Sequence, residues 1–442
     1  MNDVFSIFPK VIPLGQKAKI SISGLKDRTI LPGQNYKVRI LSMNNHQDNV
    51  QFTTSALSPK TNTSFSDPSR GGTIEFEHIF TSKGEYSIVL MQDNDISTKI
   101  TTERVYAIND ELAGLYPYRG DLHIHTYYSD GRMSPIYMAI IGRKLGLDFA
   151  AITDHGKYEP SLEAIKMAKE IELDMLLFPG EEVDFPAGHI VSINAEASIT
   201  DLKSNKEEHQ KMLDETINKR LNGKTLVDNL SKEHYAHALW TIDKIHEFGG
   251  YAFLAHPYWV SGDRYHLHLP IFEQLLRDGD IDGIEVIGGY FSPEFESNWL
   301  AIAKYYEEVA KGNRYPLIGN SDTHYRSGKP GDDLFGWYWT TVFSKSLSEK
   351  DILQSISNMM CVACERPNGE RFIAVGPFDL VEYTCFLDRE FFPIHDRICS
   401  MEAEIYLDIL MEKNASRDQL LQLKKNLSEL YERSFWKKQT AN

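Results

Sequence analysis

The chain has 442 residues, 42% apolar and 25% charged, the composition of a globular protein long enough for two or three domains. Its 63 acidic residues outnumber 47 Lys and Arg, and the resulting net charge of −16 disfavours nonspecific binding to nucleic acid or anionic membrane. No apolar run is long enough to span a bilayer, and the first ten residues lack a basic stretch followed by an apolar one. The expectation is a cytoplasmic protein with no membrane partner, unless a secretion signal has been trimmed.

Residues 1–112 read as β structure. Ala18, Ile20 and Ile22 alternate with polar residues, as do Tyr36, Val38 and Ile40, Ile74, Phe76 and Phe80, and Tyr86, Ile88 and Leu90. Period two means half-buried strands, and Pro32-Gly33, Gly71-Gly72 and Ser82-Lys83-Gly84 punctuate them. The segment is expected to be a β-sandwich, loosely similar to immunoglobulin-like accessory domains. The Ser/Thr/Pro-rich stretch 55–72 reads as a long loop.

From Tyr116 the pattern changes to strands alternating with helices. Ser134-Pro135 starts a helix, Ile136, Ala139, Ile140 and Leu145 fill one face, and Gly146 ends it. Apolar strands follow over 149–153, 176–180, ending at Glu181-Glu182, and 190–193, with later units over 251–257, 283–287 and 316–324. Alternating β and α implies parallel strands, and polar residues at successive strand ends imply a barrel-like site at one rim. Residues 197–235 form a charged, helical insertion, a solvated surface or a lid over the site. Residues 376–442 are helix-rich: Ser416 and Gln419 form a capping box, and Leu420, Leu423, Leu427 and Leu430 recur at helical spacing. That helix is expected to pack internally or to form an oligomer contact. Cys361, Cys364, Cys385 and Cys399 show no disulfide framework, and the lone Cys361-Val-Ala-Cys364 reads as ordinary buried thiols.

The chemistry lies at the strand ends. His123 and His125, two apart, point to one face of a strand, and Asp130 follows within a short turn. Later strand ends supply His155, Glu182, His189, His256, Asp322 and His324, so six of the fifteen histidines fall at such positions. Imidazole and carboxylate donors converging there suit zinc, manganese or iron. Glu181 competes with Glu182 for the same role. Asp154 is placed to orient a neighbouring ligand, and His266-Leu-His268 lies in a loop without a carboxylate partner, a decoy or a rim element. His246 is read as a packing residue, and His46, His78, His209, His234, His237 and His395 as ordinary core or surface histidines.

In order along residues 117–375 stand Asp-Leu-His-Ile-His-Thr, Ser-Asp-Gly, Ile-Thr-Asp-His-Gly, Pro-Gly-Glu-Glu, Gly-His-Ile, Leu-Ala-His-Pro and Ser-Asp-Thr-His. This series resembles the PHP family, named after its polymerase and histidinol phosphatase members. The resemblance implies a distorted (β/α)7 barrel over 116–375 that hydrolyses phosphate esters with three divalent ions. It implies one ion on His123, His125, Glu182 and Asp322, and a second on Glu182, His189 and His256. The third would be held by Asp130, His155 and His324. The family's Gly-x-Glu spacing favours Glu182 over Glu181. With the β domain before it and a helical extension over 376–442, three segments are expected.

Arg132, Lys157, Arg264, Arg326 and Lys329 flank these motifs and could hold a substrate phosphate. Tyr127, Tyr128, Tyr158, Tyr258, Trp259, Tyr290 and Tyr325 could stack an organic moiety or pack the rim. The leading reading is a phosphatase or phosphodiesterase acting on a small phosphorylated molecule. The alternatives are a nuclease or exonuclease, which the acidic charge disfavours, and a non-catalytic module stabilised by its metals.

Overall fold

A computed structural model describes the chain apart from residues 1–4, 25–29, 58–71, 94–95, 290–294, 326–333, 414 and 437–442. Most of the loop expected at 55–72, and the candidates Arg326, Lys329 and Tyr290, lie outside the described residues. Two compact units emerge. One is Met1–Leu115 with Glu382–His395 and Gln422–Asn442; the other is Tyr116–Val381 with Asp396–Leu421.

The first unit contains β1 (Phe5–Phe8), β2 (Val11–Pro13), β3 (Lys17–Gly24), β4 (Asn35–Ser42), β5 (Asn49–Ser55), β6 (Thr73–Ile79), β7 (Gly84–Met91) and β8 (Lys99–Ile108). They form two sheets, ordered β1-β3-β6 and β2-β8-β7-β4-β5. The alternating residues Ala18, Ile20, Ile22, Tyr36, Val38, Ile40, Ile74 and Phe76 from both sheets meet Tyr86, Ile88 and Leu90 in one core. Strand β7 departs from simple alternation, because Val89 and Met91 are buried as well. The alternation signal missed β1, β2, β5 and β8. In β8 the first half, Lys-Ile-Thr-Thr-Glu-Arg, is half-exposed and only Val105 to Ile108 are buried.

The second unit holds β9 (Tyr116–Asp121), α1 (Pro135–Lys144), β10 (Phe149–Ala151), α2 (Glu159–Glu170), β11 (Leu176–Phe178), β12 (Gly180–Phe185) and β13 (Gly188–Ile193). Then come α3 (Lys206–Thr216), α4 (Lys232–Glu247), β14 (Tyr251–Leu254), β15 (Val260–Ser261), β16 (Arg264–Tyr265), α5 (Leu269–Asp278), β17 (Gly283–Gly288) and α6 (Glu296–Ala310). It continues with β18 (Leu317–Asn320), β19 (Tyr338–Ser344), α7 (Glu349–Ser357), β20 (Cys361–Glu365) and β21 (Ile373–Val375). Three helices close the chain: α8 (Phe378–Glu390), α9 (Phe392–Leu410) and α10 (Arg417–Ser434).

This mixed α/β unit has one sheet ordered β11-β10-β9-β19-β20-β21 and another ordered β12-β13-β14-β17-β18. They curl toward each other. The bridges Ile124–Thr323 and His155–Glu182 join strand ends of one sheet to those of the other. Between them Leu122, Phe149, Phe178, Val191, Phe253, Ile318 and Val342 form an apolar interior. The expectation of parallel strands holds for β9–β10–β11 and β14–β17–β18 only. Strands β12 and β13 are antiparallel, because only Pro186 and Ala187 separate them and a parallel crossover needs a dozen residues or more. Strand β19 also runs antiparallel to β9 and β20.

Several local expectations are corrected. Ser134 occupies the N-cap of α1 in extended backbone but makes no capping hydrogen bond, and Leu145 sits at the C-cap, exposed rather than on the buried face. Gly146 follows with φ +85°, the left-handed turn that ends a helix. The insertion 197–235 is largely exposed, as expected of a solvated surface, but a few apolar residues anchor it. Ile199, Leu213, Leu221 and Tyr235 are buried in the same core as Trp240 and Leu254. One half of the capping box of α10 forms, with Gln419 N–H donating to Ser416 Oγ at 3.3 Å, and Leu420, Leu423, Leu427 and Leu430 are buried. Cys361 and Cys364 are buried free thiols on β20, and burial pushes the Cys361 thiol up to about 12.

Strand β17 ends at Gly288, where φ is +144° and a Cβ would lie 1.8 Å from the carbonyl oxygen of Asn320 on β18. No side chain fits without moving the segment that leads into Asp322. Gly288→Ala should therefore destabilise the protein by about 3 kcal/mol. Urea or thermal unfolding of the variant checks this, and an unchanged midpoint would contradict the close approach.

Candidate metal centre

The turns that follow the strands are tied by buried carboxyl and hydroxyl groups. After β9, the Asp121 carboxylate accepts the N–H of His123 and of Ser321, each at 3.1 Å. One side chain thus fixes the loop of His123 and the loop of Asp322. Burial pushes Asp121 up to about 7, against the hydrogen bonds from Ser321 and His123. Asp154 does not reach the cluster of candidate ligands. It accepts from the Thr126 N–H at 2.7 Å, the Thr126 hydroxyl at 2.6 Å and the Ser129 hydroxyl at 2.6 Å, folding the turn that carries Asp130.

Strand β12 separates the two adjacent glutamates by its pleat. Glu182 faces the histidines. Glu181 faces the other way, accepting the N–H groups of Ile199 and Thr200 and the Ser198 hydroxyl at the start of the insertion. Burial raises the Glu181 pKa despite these bonds. Three non-glycine residues at the strand ends, His256, Asp322 and Tyr325, have φ of +21°, +50° and +47°. Such backbone costs on the order of 1–3 kcal/mol per residue and clusters at functional sites.

All nine candidate ligands converge. Glu182 Oε2 lies 3.2 Å from His123 Nε2, 3.3 Å from His125 Nε2 and 3.0 Å from His155 Nδ1. Its Oε1 lies 2.9 Å from His189 Nδ1 and 3.2 Å from His256 Nε2. Asp322 Oδ1 is 2.9 Å from His125 Nε2 and 3.3 Å from His123 Nε2. On the outer side, Asp130 Oδ1 is 3.0 Å from His324 Nε2 and 4.0 Å from His155 Nε2.

These atoms fit divalent ions. His123 Nε2, His125 Nε2 and Glu182 Oε2 are buried and make no hydrogen bond. Donors bonded to one ion at roughly 2.1 Å stand roughly 3.0–3.4 Å apart in octahedral or tetrahedral geometry, the spacing found here. Three groups have donor atoms within 4.8 Å of one another: His123, His125, Glu182 and Asp322; His125, Asp130, His155 and His324; and His155, Glu182 and His189. The last differs from the expected Glu182, His189 and His256, since His155 also approaches Glu182. His256 Nε2 nonetheless lies 3.4 Å from His189 Nδ1.

The electrostatics favour positive charge. Desolvation opposes ionisation of Glu182, yet the surrounding His189 and His123 hold it well below the usual carboxylate range. Desolvation likewise opposes a charged His155, while hydrogen bonds to Asp184 and Glu182 push it up to about 11. A divalent ion satisfies the same demand.

Two carboxylates of the centre escaped the strand-end signal. Glu285 lies in the middle of β17, buried within an apolar run, and its Oε2 is 3.2 Å from His123 Nδ1 and accepts the His256 N–H at 3.1 Å. A buried acid inside Gly-Ile-Glu-Val-Ile was the available clue. Asp184, two residues after Glu182 on the same face of β12, approaches His155 and His189. His266 is a rim element: its ring lies 4.5 Å from that of His189 and 4.9 Å from Trp259. Among the substrate-binding candidates, Arg132, Lys157 and Arg264 are exposed, and Tyr258 packs its ring against Tyr265 and Phe272. Arg326 is outside the described residues.

The pleat makes the paired glutamates separable by experiment. Glu182→Gln should abolish the binding of divalent ions while the fold persists. Glu181→Gln should keep the ions and lower stability by about 1–3 kcal/mol, through loss of the charged acceptor for the insertion. Elemental analysis together with thermal unfolding of both variants checks this, and metal loss in the Glu181 variant alone would reverse the assignment.

No family model matches the chain. An uncharacterised protein of Methanocaldococcus jannaschii is 28% identical over 206 residues, covering 43% of this chain and 93% of that one. The DNA polymerase/3'-5' exonuclease PolX of Bacillus subtilis is 35% identical over 79 residues, which is 18% of this chain and 13% of that polymerase. Among solved structures, a two-domain protein of Bacteroides vulgatus containing a predicted PHP-like metal-dependent phosphoesterase is 20% identical, with a TM-score of 0.40, covering 62% of this chain and 71% of that one. Seven motifs in the order found in the PHP family, with their side chains gathered in a single cluster, are what this chain shares with PHP-like proteins.

Proposed function

We propose that the chain is a metal-dependent phosphoesterase that hydrolyses a small phosphorylated molecule. Its catalytic unit would be a distorted (β/α)7 barrel, preceded by a β-sandwich accessory domain. The observation that carries this reading is the convergence on Glu182: one buried carboxylate presents both oxygens to five imidazoles at 2.9–3.3 Å. A carboxylate shared in this way suits adjacent divalent ions, three in number, drawn from manganese, zinc or iron.

Divalent ions in such a cluster supply an activated water near neutral pH and offset the charge on phosphoryl oxygens. The chain's own residues would do the positioning. His123, His125, Glu182 and Asp322 hold the inner site, Glu182, His189 and His256 the second, and Asp130, His155 and His324 the outer one. The exposed Arg132, Lys157 and Arg264, with Arg326 and Tyr258, would grip the phosphate and the organic part of the substrate. The net charge of −16 favours a small substrate over a nucleic acid.

A hydrolysis panel of phosphomonoesters, phosphodiesters and single-stranded DNA, run with Mn²⁺ or Zn²⁺, tests this. Turnover of a small ester, abolished in Asp322→Ala and His256→Ala while both variants stay folded, is the expected outcome. Activity surviving complete removal and chelation of metals would refute the metal-dependent reading. Preferential cleavage of DNA would replace the substrate class.

A further inference from the structure

Asp184 is half-exposed, belongs to no ligand motif, and touches two ligand histidines at once. Its Oδ1 lies 3.1 Å from His155 Nδ1 and 3.2 Å from His189 Nε2. Each imidazole turns its other nitrogen elsewhere. His155 Nε2 faces Asp130, and His189 Nδ1 faces Glu182 Oε1 at 2.9 Å. A neutral imidazole that donates one N–H has its other nitrogen free to bind an ion, so the acceptor of that proton decides which nitrogen becomes the ligand.

We propose that Asp184 is a shared positioning residue, one carboxylate oxygen that accepts a hydrogen bond from the histidines of two different ion sites and sets them in opposite tautomers. His155 carries its proton on Nδ1 and offers Nε2 to the outer site with Asp130 and His324. His189 carries its proton on Nε2 and offers Nδ1 to the site of Glu182 and His256. The competing placement, with His155 Nδ1 itself bonded to an ion beside Glu182 Oε2 at 3.0 Å, leaves Asp184 no proton to accept from that ring.

The backbone gives Asp184 this position. It is two residues beyond Glu182, so the pleat of β12 points both toward the histidines. From the insertion, Lys203 Nζ donates to the Asp184 carbonyl oxygen at 2.6 Å. The segment that also caps Glu181 therefore pins the strand at its other end. The insertion acts on the centre through the backbone of β12, without contributing a ligand.

The inference rests on the proposed metal-dependent reading, and the test separates the two. The full chain, wild type, Asp184→Asn and Asp184→Ala, is titrated with Zn²⁺ against a chelator, and the histidine tautomers are read from ¹⁵N resonances of the loaded protein. The wild type should show His155 protonated on Nδ1 and His189 on Nε2. Asp184→Ala should weaken two of the three ions by roughly 10–100-fold and leave the His123–His125–Asp322 ion unchanged. Asp184→Asn keeps an acceptor oxygen and should fall between. Equal affinities in all three proteins, or one tautomer shared by both histidines in the wild type, would overturn the role of Asp184 while leaving the metal reading intact. A folded wild type that takes up no ion would overturn the metal reading and this inference with it.

Discussion

A carboxylate sealed from water beside five imidazoles is the constraint around which this unit is arranged. Burying an unpaired charge costs several kcal/mol, and Glu182 is fully buried. Its environment must supply positive charge, and the imidazoles come from four different elements. The segment just after β9 delivers His123 and His125, β13 delivers His189, and the turns after β10 and β14 deliver His155 and His256. None of these histidines alone can neutralise both oxygens, so the site forms only when strand ends distant in sequence are brought together. Fold and site are then one requirement, because displacing any of these elements removes part of the charge that compensates Glu182.

The supporting carboxylates show how the ends are kept in register. Asp121 ties the β9 turn to the β18 turn, Glu285 links His123 to the backbone of His256, and Asp154 folds the loop that presents Asp130. Each accepts from two separate groups, so each couples two parts of the centre. This outer layer orients the donors before any ion arrives, which lowers the ordering cost of binding.

Most candidate ligands were legible from sequence because they flank apolar runs, where a titratable residue is conspicuous. Glu285 was not, since it lies inside such a run and periodicity assigns it to the core. The strands of alternating residues, such as Tyr36, Val38 and Ile40, were legible for the same periodic reason, whereas β8 hid behind charged residues in its exposed half. Strand direction was illegible wherever it depends on connection length rather than composition, as with Pro186 and Ala187 between β12 and β13. The anchoring of the insertion was illegible because its charges dominate its composition, while the few residues that anchor it, Ile199, Leu213 and Leu221, are thinly spaced among them.

The left-handed backbone at His256 and Asp322 has an evolutionary corollary. Glycine is the residue that such geometry accommodates most cheaply, and both positions instead carry metal-type donors. A chain without the site could relax this strain, and replacing either residue by glycine would ease the local backbone while destroying the centre. Selection for thermal stability alone would therefore drift toward inactive proteins at these two positions. The donors persist in the sequence against the local conformational preference of the chain that carries them.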